Sequence, residues 1–280
     1  MNACYLNGDY IDLKDAKVSA LDRGFIFGEG VYEVIEIHQG RVFARKQHLD
    51  RLQDSLDDMG IVNPLSEEEW SQVIQRLIFL NNCINSIVYI QITRGSAPRS
   101  HEFPAKENPT LFAMMAPSKA TKELELIRAI TAEDERWARC YVKTTSLYAN
   151  TRLHNFARNK GGQETILHRH GFVTEGASSN VFVVSKNGTV YTTPLWLNIL
   201  PGVTRGVILE LAEELDVSVL EQEISLDMLK AAREIWLTST SSGLRCVSSL
   251  DNKMVGNGTD YPVAQRLHEY LAVEKNNLAS

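Results

Sequence analysis

The strongest constraint on this chain is its irregular mixture of short strands, two-residue turns and helices. Residues 30–43, "GVYEVIEIHQGRVF", alternate Val31, Glu33, Ile35 and Ile37 with Tyr32, Val34, Glu36 and His38, then turn at Gln39-Gly40. "ACYLNGDYID" folds back at Asn7-Gly8, and a later meander turns at Asn187-Gly188. Helical periods come between such strands. Leu49, Leu52, Leu56 and Met59 recur three and four apart and stop at Gly60, and Ser66 with Glu69 forms a capping box opening the next helix. Further strands are expected at 125–131 and 139–145, with helices at 147–162, 203–216 and 263–275. No strict βαβ repeat runs through the pattern. That argues against a doubly wound sheet and for an α+β fold, either layered or a barrel with appended helices. The polar, Pro-containing stretch "APSKATKE" follows a strand and reads as a linker. A small N-terminal α/β domain over 1–116, a linker at 117–122 and a larger domain over 123–280 are therefore expected.

Charge narrows the partners. A formal net charge of −6 opposes general nucleic-acid binding, which needs a basic face. No apolar run approaches the ~18 residues of a membrane span, and charges sit where a secretory leader needs its apolar core. A cytoplasmic protein without nucleic-acid or membrane partners is the expectation. The four cysteines lack CxxC spacing and the seven histidines lack HExxH pairing, so no metal site is expected. Gly28 and Gly30 enter a strand where a dinucleotide fingerprint would open a helix.

Several short stretches have both a bland reading and a chemical one. Lys143 in "YVKTTSL" is either a solvent-facing strand lysine or an amine able to form a Schiff base. Glu175 in "VTEGASSN" belongs to a polar turn or is a carboxylate aimed at a protonated ring nitrogen. "LPGVTRG" is an ordinary helix start or a phosphate site built from free amides and the helix dipole. Arg51 in "HLDRL" is a surface side chain or a phosphate clamp. "LTSTSSG" offers hydroxyls after a strand, and "TRGSAPRSH" concentrates Arg94, Arg99 and His101 in a loop stiffened by Pro98.

Taken in order, "DRGFIFGEGVYEV", "HLDRL", "QITRGSAPRSHEFP", "YVKTTSL", "ETILHRHGFVTEGASSNVF", "LPGVTRG" and "IWLTSTSSG" resemble the fold type IV enzymes that use pyridoxal phosphate, most closely the D-amino-acid aminotransferases. The resemblance covers nearly the whole chain. It implies a two-domain α+β fold, a small α/β sandwich followed by a larger pseudo-barrel with flanking helices. It implies pyridoxal 5'-phosphate as cofactor and ping-pong transfer of an amino group between a D-amino acid and a 2-oxo acid. Lys143 matches the Schiff-base lysine and Glu175 the partner of the ring nitrogen. Arg51, Val203, Thr204, Ser239 and Thr240 match the phosphate cup, Leu200 the ring-packing residue, and His48 a supporting one. Tyr32 matches the substrate side of the site. Arg99 and His101 match a carboxylate trap delivered across a homodimer, and Arg94 reads as a structural ion-pair residue. The related branched-chain enzymes lack "SAPRSH". L-branched-chain or (R)-amine transamination, aminodeoxychorismate lyase chemistry, and a non-catalytic cofactor-binding protein are the competing readings. One departure stands out: "LRCV" follows "TSTSSG" where relatives usually carry Thr-Pro, which brings Arg245 near the site as a candidate second anion contact.

Overall fold

The computed structural model describes residues 2–118 and 123–277. They form two units with one sheet each, and residues 119–122 of the expected linker lie outside the described residues. The first unit takes the chain up to Ser118 together with Val142–Ser146, and the second takes the rest to Asn277. An antiparallel first sheet and a mixed second sheet match the α+β expectation.

Six strands build the first sheet: β1 (Ala3–Leu6), β2 (Asp9–Asp12), β3 (Gly30–His38), β4 (Arg41–Val42), β5 (Ser86–Thr93) and β6 (Thr110–Pro117), in the order β2-β1-β6-β5-β3-β4. All neighbours are antiparallel, as the two-residue turns require. The short helix α1 (Arg23–Phe27) precedes β3, and α2 (Arg45–Met59) and α3 (Glu67–Asn81) follow β4. Alternate residues of β3 and β5, among them Val31, Ile35, Val88 and Ile90, face Leu52 and Leu56 of α2 and Ile74 and Leu77 of α3 in one core. The stops and starts behave as their residues dictate. Gly60 ends α2 at φ 60°, and Ser66 and Glu69 cap α3 reciprocally.

The second unit has β7 (Glu125–Glu133), β8 (Glu164–Arg169), β9 (Phe172–Gly176), β10 (Asn180–Val184), β11 (Val190–Thr192), β12 (Val219–Glu221), β13 (Glu234–Ser239), β14 (Gly243–Leu250) and β15 (Lys253–Met254). Their order is β12-β11-β10-β13-β14-β7-β8-β9, with β15 beside β14. Helix α4 (Tyr148–Asn159) precedes β8, α5 (Val203–Glu214) lies between β11 and β12, α6 (Leu226–Lys230) precedes β13, and α7 (Pro262–Asn277) ends the unit. β9 is an edge strand, yet only Ala177–Ser179 separate it from β10 near the far edge, and the Gly176 N–H donates to the Ser179 carbonyl at 2.6 Å. So short a link forces the sheet to curl on itself. Val173, Val181, Ile235, Leu237 and Val247 fill the hollow with Leu229 of α6. Elsewhere Phe182 and Trp236 stack at 4.5 Å and 3° across β10 and β13.

Two stretches depart from the sequence expectation. Residues 139–145 run as turns with one isolated bridge, Val31 to Thr144, instead of a strand. Their hydrogen bonds go to β3: Tyr32 N–H donates to Lys143 O and Thr145 N–H to Gly30 O, both at 2.9 Å. Residues 243–250, which begin at the end of the hydroxyl-rich turn and to which no element is assigned from the sequence, form β14, hydrogen-bonded to both β13 and β7.

Candidate active site

Lys143 is fixed through its backbone before its side chain does anything. Its carbonyl accepts from Tyr32 and its N–H donates to Ser55 Oγ at 3.2 Å, so β3 and α2 both hold it. Lys143 Nζ lies 4.2 Å from the centre of the Tyr32 ring, and Tyr32 in turn stacks on Tyr89 at 5.7 Å. Next to Tyr32 in sequence, Glu33 points to the opposite face, into the core. This wholly buried carboxylate accepts from Arg51 Nε at 2.9 Å and Nη2 at 2.6 Å, and lies 3.1 Å from His48 Nδ1. Burial alone would raise the Glu33 carboxyl, but Arg51, then His48 and Lys143, outweigh it and hold it well below the usual carboxylate range. Burial pushes His48 down, further than Glu33 pulls it back. Four residues singled out in the sequence, Tyr32, His48, Arg51 and Lys143, thus gather around or beside one acid. Glu33 itself was missed. Its signal was present: a lone charge among Val31, Ile35 and Ile37 on an otherwise apolar strand face.

The cationic loop separates its charges. Arg94 is buried. It donates to Glu29 at 3.0 Å, to the carbonyls of Met59 and Gly60 at 2.6 and 2.9 Å, and to Glu107. Arg99 and His101 are exposed, and among the described residues Arg99 has no carboxylate partner.

In the second unit Glu175 ends β9, buried. Its Oε1 accepts from Arg136 Nη1 at 2.6 Å, and its Oε2 from the Leu200 N–H at 3.1 Å and Asn180 Nδ2 at 3.4 Å. Burial pushes the carboxyl up, and Arg136 with Leu200 pulls against it. Arg136 is itself held by Asp134 at 2.9 Å. Asn180 Nδ2 also donates to Leu200 O at 2.9 Å, clamping the segment that leads into α5. A Cβ on Gly202 would fall 2.0 Å from Asn180 Oδ1, so only glycine allows this approach. Gly202 caps α5 without a side-chain hydrogen bond, which leaves the Val203 and Thr204 amides at an uncapped, dipole-positive helix start. Ser239 and Thr240 follow Thr238, the strand partner of Asn180. Arg245 lies on central strand β14 with its Nη2 3.6 Å from the buried Glu164, whose Oε2 also accepts from Ser178 and Ser179 at 3.1 and 3.2 Å.

A buried carboxylate tied to an uncapped helix start, with hydroxyls on the neighbouring strand, suits a group that joins a ring nitrogen to a phosphate. The residues present therefore fit pyridoxal phosphate. The class IV amino-transferase family matches residues 30–250.

The chain belongs to the class IV aminotransferases.

It is 37% identical over 274 residues to a D-alanine aminotransferase of Staphylococcus epidermidis, covering 96% of both chains. A D-alanine aminotransferase of Bacillus licheniformis is 37% identical over 267 residues, covering 95% of this chain and 94% of that one. Among solved structures, the branched-chain amino acid aminotransferase of Escherichia coli superposes with a TM-score of 0.90 at 27% identity, covering 97% of this chain and 94% of that one. The fold is thus fold type IV, the cofactor of this aminotransferase is pyridoxal phosphate, and its substrates are an amino acid and a 2-oxo acid. Beyond the residues expected from the sequence, the structure adds Glu33, Arg136, Asp134, Asn180 and Glu164. Arg136 carried no signal in its own stretch, because its partner Glu175 lies 39 residues away.

Proposed function

We propose that this aminotransferase moves an amino group between a D-amino acid and a 2-oxo acid. Lys143 serves as the lysine that carries the cofactor as a Schiff base, and Glu175 as the partner of the ring nitrogen. Val203, Thr204, Ser239, Thr240 and Arg51 hold the phosphate, with Glu33 setting the direction of the Arg51 fork. Leu200 packs on the ring, and His48 supports Arg51 through Glu33. Pyridoxal phosphate, when bound, supplies an aldehyde for the substrate amine and a protonated ring that withdraws the electrons left at Cα. With the cofactor bound, the released Lys143 amine would be the group that takes the proton from substrate Cα and holds it for return. Glu175 keeps the ring proton in place, and Arg136 keeps the Glu175 carboxylate aimed.

Selection of the D enantiomer falls to Arg99 and His101, acting across a homodimer, with Tyr32 on the substrate side. A guanidinium takes a carboxylate through two parallel N–H bonds. Holding the carboxylate on one side decides which enantiomer presents its Cα hydrogen to Lys143. The observation that carries this reading is that Arg94 is neutralised by Glu29 and Glu107 while Arg99, exposed on the same loop, has no acidic partner among the described residues. The homodimer is supported by Phe25 and Phe103, 78% and 63% exposed in α1 and beside the loop. No helix among the described residues is long and apolar enough to cross a membrane, and a cytoplasmic setting is part of the proposal. Arg245 is proposed as a brace for Glu164 beneath the Ser178-Ser179 turn, a role its 3.6 Å approach supports better than direct substrate contact.

The test is spectroscopic. The purified holoenzyme is expected to be yellow and to bleach when D-alanine is added without an oxo acid. Bleaching by L-leucine and not by D-alanine would transfer the assignment to an L-branched-chain enzyme, and absence of colour would favour a degenerate protein.

A further inference from the structure

Arg99 and His101 do not stand alone in the structure: both lie against the ring of Phe27, the last residue of α1. The Arg99 guanidinium carbon is 5.4 Å from the ring centre, and the His101 ring centre is 5.7 Å away at a 55° tilt. Arg23 also lies against this ring, 4.7 Å from its centre and only 1% exposed. Every arm of the Arg23 fork is committed. Nε and Nη2 donate to the two oxygens of Glu29, both at 2.7 Å, and Nη1 donates to the carbonyl of Ser100 at 2.7 Å. Ser100 is the residue between Arg99 and His101, so its carbonyl fixes the loop at the point from which both side chains diverge. Glu29 also accepts from Arg94, whose guanidinium lies 3.8 Å from the Phe103 ring centre and so holds the loop further along.

Charge and shape point the same way. Glu29 and Glu107 balance Arg23 and Arg94, which leaves Arg99 as the cation offered outward. An aromatic face attracts a guanidinium without satisfying its donors, so it orients Arg99 while leaving its N–H groups to an anion. An acidic neighbour would have orientated the arginine and neutralised it. A leucine in place of Phe27 would fill similar space without that attraction.

We propose that Phe27, seated on Arg23, is a positioning platform that sets the direction of Arg99 and His101 toward the substrate carboxylate. This rests on the reading of Arg99 as the carboxylate ligand. Phe27 touches neither cofactor nor substrate in this account, so its removal acts on substrate affinity and leaves the chemical step.

Steady-state kinetics of the holoenzyme with D-alanine and 2-oxoglutarate tests it. Phe27→Leu is expected to raise KM for D-alanine about 3- to 30-fold, the range of a cation–π contact, with kcat changed less than about two-fold and the cofactor absorbance unchanged. Phe27→Tyr, which keeps the ring face, is expected to restore KM. Because the platform acts only through the trap, Phe27→Leu added to Arg99→Ala is expected to raise KM no further. An unchanged KM in Phe27→Leu, while Arg99→Ala raises it, overturns the platform and leaves the trap. Additive effects in the double variant, or a fall in kcat alone, overturn it too, because that is the mark of a general structural role. If Arg99→Ala itself leaves KM unchanged, the reading of Arg99 fails and the platform falls with it.

Discussion

Glu33, Arg51, Asp134, Arg136 and Glu175 are charges that burial would penalise severely if any stood alone. Each is matched instead, Arg51 to Glu33 at 2.6 Å and Arg136 to both Asp134 and Glu175. Arg136→Met strands Glu175 in a site where burial raises its pKa. A loss of about 3–5 kcal/mol is expected at neutral pH, read from the denaturant midpoint with an unchanged slope. Because the penalty attaches to the charged carboxylate, the loss shrinks as pH falls and Glu175 takes up a proton. Glu175→Gln in the same chain is expected to recover most of it. A loss that ignores pH would show that Arg136 contributes by packing. Single residues of this kind are where the sequence is least readable. Lys143 and Glu175 each sit in a stretch with a bland reading of its own, and only the ordered set of motifs that resembles the family makes them candidates. Their supporting partners are separated from them along the chain, and no local pattern announces a contact that only the fold creates.

The elements were more legible, and the reasons are local. The α2 and α3 boundaries follow from Gly60 and from the Ser66–Glu69 box, and the hairpin at Asn7-Gly8 from the residues at its turn. The segment misread and the segment left unassigned share a cause. Residues 139–145 have strand-like composition, but Val142–Ser146 belong with β3 in the first unit and make only an isolated bridge there, and β14 carries an Arg and two serines while its place is set by β7 and β13, of which β7 is distant in sequence. The start of α5 can be tested as an element. Gly202→Ala places a methyl 2.0 Å from Asn180 Oδ1 and must shift either the Leu200–Gly202 segment or Asn180. A cost of about 1–3 kcal/mol is expected for such overpacking. Since the shift moves the Val203 and Thr204 amides, the variant is expected to lose cofactor on dialysis faster than the parent while Gly206→Ala, with nothing within 4 Å of the added carbon, does not.

Across the whole molecule, the acids Glu29, Glu33, Asp134 and Glu164 are all held below their ordinary range by partners that outweigh burial or add to one another. A carboxylate with a lowered folded pKa contributes stability that is complete above its unfolded value of about 4 and is lost as pH falls through that value toward the folded one. Glu175 and Glu234, raised by burial, work in the opposite sense and offset part of this. The melting temperature is therefore expected to be nearly flat from pH 7 to about 5.5 and to drop steeply below pH 4.5. Glu33→Gln is expected to melt lower at pH 7 but to fall less on acidification, and parallel curves would remove Glu33 from the account. The five residues Val142–Ser146 carry a different consequence. They belong with the first sheet although the second unit's chain has already begun before them. A ribosome must therefore deliver more than twenty residues of the second unit before the first can be finished, and a graft that joins residues 1–118 to another protein would inherit an open β3 edge and lack Lys143. Recombination cannot trade these units as separable cassettes: whatever replaces the second must return the thread that completes the first.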